Sequence, residues 1–73
     1  MAITTVTSPM VGKILQVPAQ VGAKVQEDDT IIVLEAMKME IPVVAPAAGT
    51  IREIKVAPGD MVEADAVLAL IEE

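Results

Sequence analysis

Slid along itself by 37 positions without a gap, this 73-residue chain sets residues 1–36 against 38–73 and matches eight identical pairs. They are Val6/Val43, Pro9/Pro46, Gly12/Gly49, Ile14/Ile51, Gly22/Gly59, Val25/Val62, Asp28/Asp65 and Glu35/Glu72. Chance alone gives roughly three in a chain so rich in Val and Ala. The kinds of residue carry more weight than the count. Proline and glycine are backbone punctuation, so sharing them implies shared turns. Four further pairs keep apolar character: Val17/Ile54, Ile31/Leu68, Val33/Leu70 and Leu34/Ile71. The expectation is one domain over residues 1–73, built from two copies of one small unit.

Each copy reads as strands. Gly12–Val17 and Gly49–Val56 are short, β-branched and bounded by Gly or Pro. Ile51 and Ile54 break strict alternation, which points to a bulge or twist. Turns follow at Pro18–Ala23 and Pro58–Asp60, and each half closes on an apolar run, Thr30–Leu34 and Val67–Ile71, as a buried strand does. Asp28 and Asp65 precede those runs, and aspartate tolerates a left-handed turn better than most side chains. The segment Val33–Glu40 is rich in helix formers, but its repeat partner contains Val67 and Ile71, and Pro42 and Pro46 close any helix downstream. Four or five short strands per half predict an all-β fold: a small barrel or sandwich with pseudo-two-fold symmetry.

Composition narrows the function. The chain has no Cys, His, Phe, Trp or Tyr. Disulfides, thiolate nucleophiles and imidazole bases are therefore absent, as are aromatic platforms for single-stranded nucleic acid. A net charge of −6 repels a phosphate backbone, so nucleic acid is not an expected partner. No paired acid and base stands at a readable spacing, and Glu27-Asp28-Asp29 reads as a solvated acidic turn rather than a metal site. No catalytic residue and no metal ligand is expected. No apolar run reaches membrane-spanning length, and Met1-Ala2-Ile3-Thr4-Thr5 has no basic-then-apolar leader. The expected location is the cytoplasm, with no membrane partner.

Residue 37 is the seam between the copies. The sequence across it is Glu35-Ala36-Met37-Lys38-Met39-Glu40. It lacks the Asn-Gly of a usual two-residue hairpin, yet the repeat demands a turn there. A lysine at a hairpin tip between two methionines offers an amine in water beside polarizable apolar surface.

Glu35-Ala36-Met37-Lys38-Met39 resembles the attachment motif of the biotinyl domain of the biotinyl/lipoyl family, the carrier part of biotin-dependent carboxylases and decarboxylases. The resemblance extends over Ser8-Pro9-Met10 with Gly12, Ala45-Pro46 with Gly49, and Gly59-Asp60-Met61-Val62. It implies a flattened barrel of two four-stranded antiparallel sheets and covalent biotin on Lys38, with Glu35, Ala36, Met37 and Met39 forming the turn that a biotin protein ligase recognises. It also implies a biotin carboxylase that loads a carboxyl group onto the ureido ring with ATP and bicarbonate, and a carboxyltransferase or decarboxylase that removes it. The chain itself would be a carrier and not an enzyme. Three positions depart from the family: Ala23 in Gly22-Ala23 stands where Gly-Asp is usual, and Asp28 and Asp65 stand where glycine is often found. The repeat leaves no room for the extra protruding loop of some bacterial carriers, and the chain reads as a free-standing carrier or an excised domain.

Attachment is acyl transfer from biotinyl-adenylate to an amine, and an unperturbed lysine titrates near 10.4. Glu35 and Glu40, if close, favour the ammonium, so the ligase is expected to supply the activation and the carrier the presentation. The symmetry also predicts that both chain termini lie at the end opposite Lys38. A lipoyl carrier is the nearest alternative; its usual flanks are Asp before the lysine and Ala after it, where this chain has Met37 and Met39, and lipoate as a second cargo stays open. An unmodified adaptor barrel, with the methionines as a contact patch, is the alternative of another class.

Overall fold

The computed structural model describes residues 2–73. Eight strands are present among the described residues: β1 (Ile3–Thr7), β2 (Gly12–Gln16), β3 (Lys24–Val25), β4 (Thr30–Ala36), β5 (Met39–Val44), β6 (Gly49–Ile54), β7 (Met61–Val62) and β8 (Val67–Glu72). They form two four-stranded antiparallel sheets, ordered β1-β8-β6-β3 and β5-β4-β2-β7. Adding or subtracting 37 converts β1 to β5, β8 to β4, β6 to β2 and β3 to β7, so the repeat carries one sheet onto the other.

The symmetry extends to details. The register shift at Ile51/Glu53 falls where the alternation of β6 breaks, and Ile14/Gln16 shifts at the matching place in β2. Gly22 N–H donates to Ile51 O and Gly59 N–H to Ile14 O, each at 2.8 Å. Asp28 and Asp65 take φ of 74° and 68°, the left-handed conformation expected of them.

The core lies between the sheets and consists of aliphatic side chains from both copies, chiefly Ile14, Ile31, Ile32, Leu34, Ile51, Leu68 and Ile71, all but fully enclosed. Gly12 sits where β2 presses on β4. A Cβ there would lie 2.6 Å from Glu35 O and 2.9 Å from Leu34 Cδ1, and Gly49 has the same backbone contact with Glu72 O at 2.6 Å. The two glycine pairs therefore have different causes: Gly22 and Gly59 adopt positive φ, whereas Gly12 and Gly49 permit close approach.

Four strands were not individually legible. Edge strands β1 and β5 are half exposed, and Pro42, which closes a helix, sits inside β5 opposite Val33. An edge strand tolerates proline because its outward N–H has no partner to lose. The two-residue strands β3 and β7 exist only through their pairing with β6 and β2.

Candidate functional site

β4 and β5 form the hairpin at the seam. Their register, Glu35↔Glu40 and Ala36↔Met39, leaves a two-residue loop of Met37 and Lys38. Both loop residues have positive φ, 52° and 63°. A two-residue hairpin that follows the natural twist of its strands needs this conformation, which is why Asn-Gly is its usual sequence. Neither Met nor Lys is suited to it, and the left-handed region costs a non-glycine residue about 1–2 kcal/mol. The flanking strands impose the shape: β4 is zipped to β2 on one side and β5 on the other, and Ala36 is buried at the base of the turn. Held strain of this kind concentrates at functional sites. Replacing Met37 with Asn, which enters the left-handed region more readily, is expected to raise unfolding stability by about 1 kcal/mol in urea titrations while leaving Lys38 in place.

Lys38 is exposed at this tip, with Met37 and Met39 beside it at 84% and 64% exposure. The methionines therefore contribute surface and not core. Glu35 and Glu40 are exposed on the strands below. The ion pairs among the described residues are Arg52–Glu72 and Lys55–Glu53, neither of them at the tip. All five residues expected at the site are thus brought together in one hairpin. The competing lysines are placed differently: Lys13 and Lys24 lie within β2 and β3, and Lys55 follows β6 in its 3.2 Å pair with Glu53.

The strand pairings put the termini at the other end. Ile3 and Thr50 both pair with Glu72, Thr50 also pairs with Lys24, and Glu73 N–H donates to Ala2 O at 2.9 Å. Lys24 in turn shares a groove with Thr30, the end of β4 seven residues' length from the turn, in a body 36 Å long and 18 Å across.

Three further residues reach the tip without belonging to the attachment motif. Val11, Lys13 and Met61 join Gly12, Glu35 and Met37 around an open groove of about 450 Å³ that Lys38 itself lines. Their signal in the sequence was a mismatch between the copies: Val11 aligns with Ala48 and Met61 with Lys24.

A symmetric barrel that exposes one strained lysine turn, far from its own ends, has the geometry of a carrier domain. The profile of the biotin/lipoyl family, described as "Biotin-requiring enzyme", matches residues 4–71, and the chain belongs to that family. It is 36% identical over 66 residues to the biotinylated protein TB7.3 homolog of Mycobacterium leprae, covering 90% of this chain and 93% of that protein. It is 39% identical over 67 residues to the biotin/lipoyl attachment protein of Bacillus subtilis, covering 90% of this chain and 92% of that one. Among solved structures, Kluyveromyces lactis urea carboxylase contains a region similar over 99% of this chain, with a TM-score of 0.93 and 35% identity. This chain spans only 6% of that enzyme.

Proposed function

We infer that the chain is a biotin carboxyl carrier with biotin joined through an amide to Lys38 Nζ. The observation that carries this reading is the two-residue turn that holds Lys38 in a left-handed conformation at the exposed end of the barrel. The residues present fit the group: the amine is exposed, and its immediate neighbours Met37 and Met39 are polarizable and exposed as well. In the loading step, Nζ attacks the carbonyl of biotinyl-adenylate; the C–N bond forms, the C–O bond to AMP breaks, and the amine loses a proton. When bound, biotin supplies a ureido ring that accepts and returns a carboxyl group.

The chain's own contribution is presentation. The turn fixes one backbone position, while the lysine stem and the valeryl chain give about ten rotatable bonds and a reach on the order of 10–15 Å. Tethering makes each encounter with a partner's active centre intramolecular and raises the effective concentration. The partners are a biotin protein ligase, a biotin carboxylase and a carboxyltransferase or decarboxylase component. Residues 1–73 act as one carrier unit in the cytoplasm, and no helix among the described residues is long and apolar enough to cross a membrane.

The carrier reading is tested by incubating the chain with a biotin protein ligase, biotin and ATP, and in parallel with a lipoate ligase and lipoate. One biotinyl increment in intact mass is expected in the first reaction and none in the second. An unchanged mass with biotin would overturn it.

A further inference from the structure

We propose that the biotin arm rests in the groove beside Lys38, with its valeryl chain against Val11 and Met61 and its ureido ring between Lys13 and Glu35. This rests on the carrier reading above and adds a bound resting state to it.

The two copies provide an internal control for the apolar lining. Val11 and Met61 are 62% and 70% exposed. At the symmetry-related positions the same backbone carries Ala48 and Lys24, also exposed. The fold is thus satisfied without an apolar side chain at either place, and the apolar pair stands only at the end that holds Lys38. Isolated exposed hydrophobics need no explanation, but a group of them lining one groove marks a binding surface.

The polar part of the lining fits a urea. Register across the sheet runs Glu40–Glu35–Lys13–Met61, one residue from each strand and all four exposed. Lys13 and Glu35 are direct partners yet are not among the ion pairs formed. That leaves a donor and an acceptor side by side on the groove wall. A ureido ring has the complementary set, a carbonyl that accepts from an ammonium and N–H groups that donate to a carboxylate. The dithiolane ring of a lipoyl arm has neither.

Length agrees as well. Lys38 lies at the β4–β5 turn, and Met61 on β7 is two strand spacings beyond β4, about 10 Å at 4.8 Å per strand. The valeryl chain reaches that far, and the bicyclic ring at its end then folds back over Lys13 and Glu35, one strand nearer the turn; the groove's volume falls within the range of small-ligand sites. Because one wall is the attachment residue itself, the arm is already at high effective concentration, and a weak contact suffices to hold it.

The test is nuclear magnetic resonance on the ligase-loaded chain with labelled methyl groups. Nuclear Overhauser contacts are expected from valeryl protons to the Val11 and Met61 methyls, together with shifts at Lys13 and Glu35. The double substitution Val11→Ala with Met61→Lys installs the residues that the fold already accepts at 48 and 24, so folding is preserved. In that variant the contacts should vanish. If the arm is docked about nine-tenths of the time, capture of the loaded chain by avidin should also become about tenfold faster. Shifts confined to residues 36–40, with equal capture rates, would overturn the proposal. So would shifts at Val11 and Met61 that grow with the concentration of unloaded chain, since these assign the groove to a second copy. If the ligase leaves the mass unchanged, the carrier reading fails separately. The groove is then probed with Lys38→Cys alkylated by an iodoacetyl derivative of biotin, a single-site reaction in a chain without cysteine.

Discussion

Lys38→Ala and Lys38→Arg should each abolish ligase-dependent biotin incorporation completely, while Lys13→Ala, Lys24→Ala and Lys55→Ala retain it. The alanine variant removes the nucleophile. The arginine variant keeps the charge and most of the length, but guanidinium stays protonated at any working pH and does not form the amide. Intact mass after incubation with ligase, biotin and ATP reads the result directly. Because Lys38 is exposed and belongs to neither ion pair among the described residues, neither change should weaken folding by more than about 0.5 kcal/mol. Loss of loading with an unchanged urea midpoint separates the chemical role from a structural one. Biotin carried on the Lys38→Ala chain would end the assignment of this site.

Leu34→Ala is expected to have the largest effect on stability, a loss of about 3 kcal/mol. Leu34 is 0% exposed, lies opposite both Ile14 and Ile41, and packs beneath Gly12, where β2 crosses closest to the turn. A domain of this size has roughly 4–11 kcal/mol in total, so the loss is a large fraction of it. Urea unfolding of the variant should show the midpoint shifted far down with little change in slope. Val11→Ala, an exposed truncation in the same region, should stay within about 0.5 kcal/mol of the parent. Equal effects from the two would mean that the core is not where the packing places it.

The sequence carried the turns and the buried strands more clearly than the edges. Paired Pro, Gly and Asp residues revealed the two-fold relation, since each marks a backbone constraint that side-chain drift does not erase. The uneven spacing of Ile51 and Ile54 anticipated the register shift in β6. Strands β1 and β5 were obscured because a half-exposed edge has weak alternation, and Pro42 reads as a breaker until its edge position is known. Ile3, Val11, Val21, Val44 and Val67 are exposed although aliphatic, so residue type alone does not mark the core. At the seam, Met37 and Lys38 carry no left-handed signal of their own. Their conformation comes from the flanking strands, which is a tertiary effect. The groove was hidden for a related reason: Val11, Lys13 and Met61 meet Lys38 only once the pairing of β2 with β4 and β7 is established.

The pairing Ile3↔Glu72 is the counterpart, 37 residues removed, of Glu35↔Glu40. The two chain ends thus occupy the place of a second hairpin that was left open. A protein with an internal dyad has, in principle, two equivalent corners for cargo, yet only one of them is closed by a peptide linkage. Any polypeptide continuing from either end therefore departs from the open corner and leaves the Lys38 turn unobstructed.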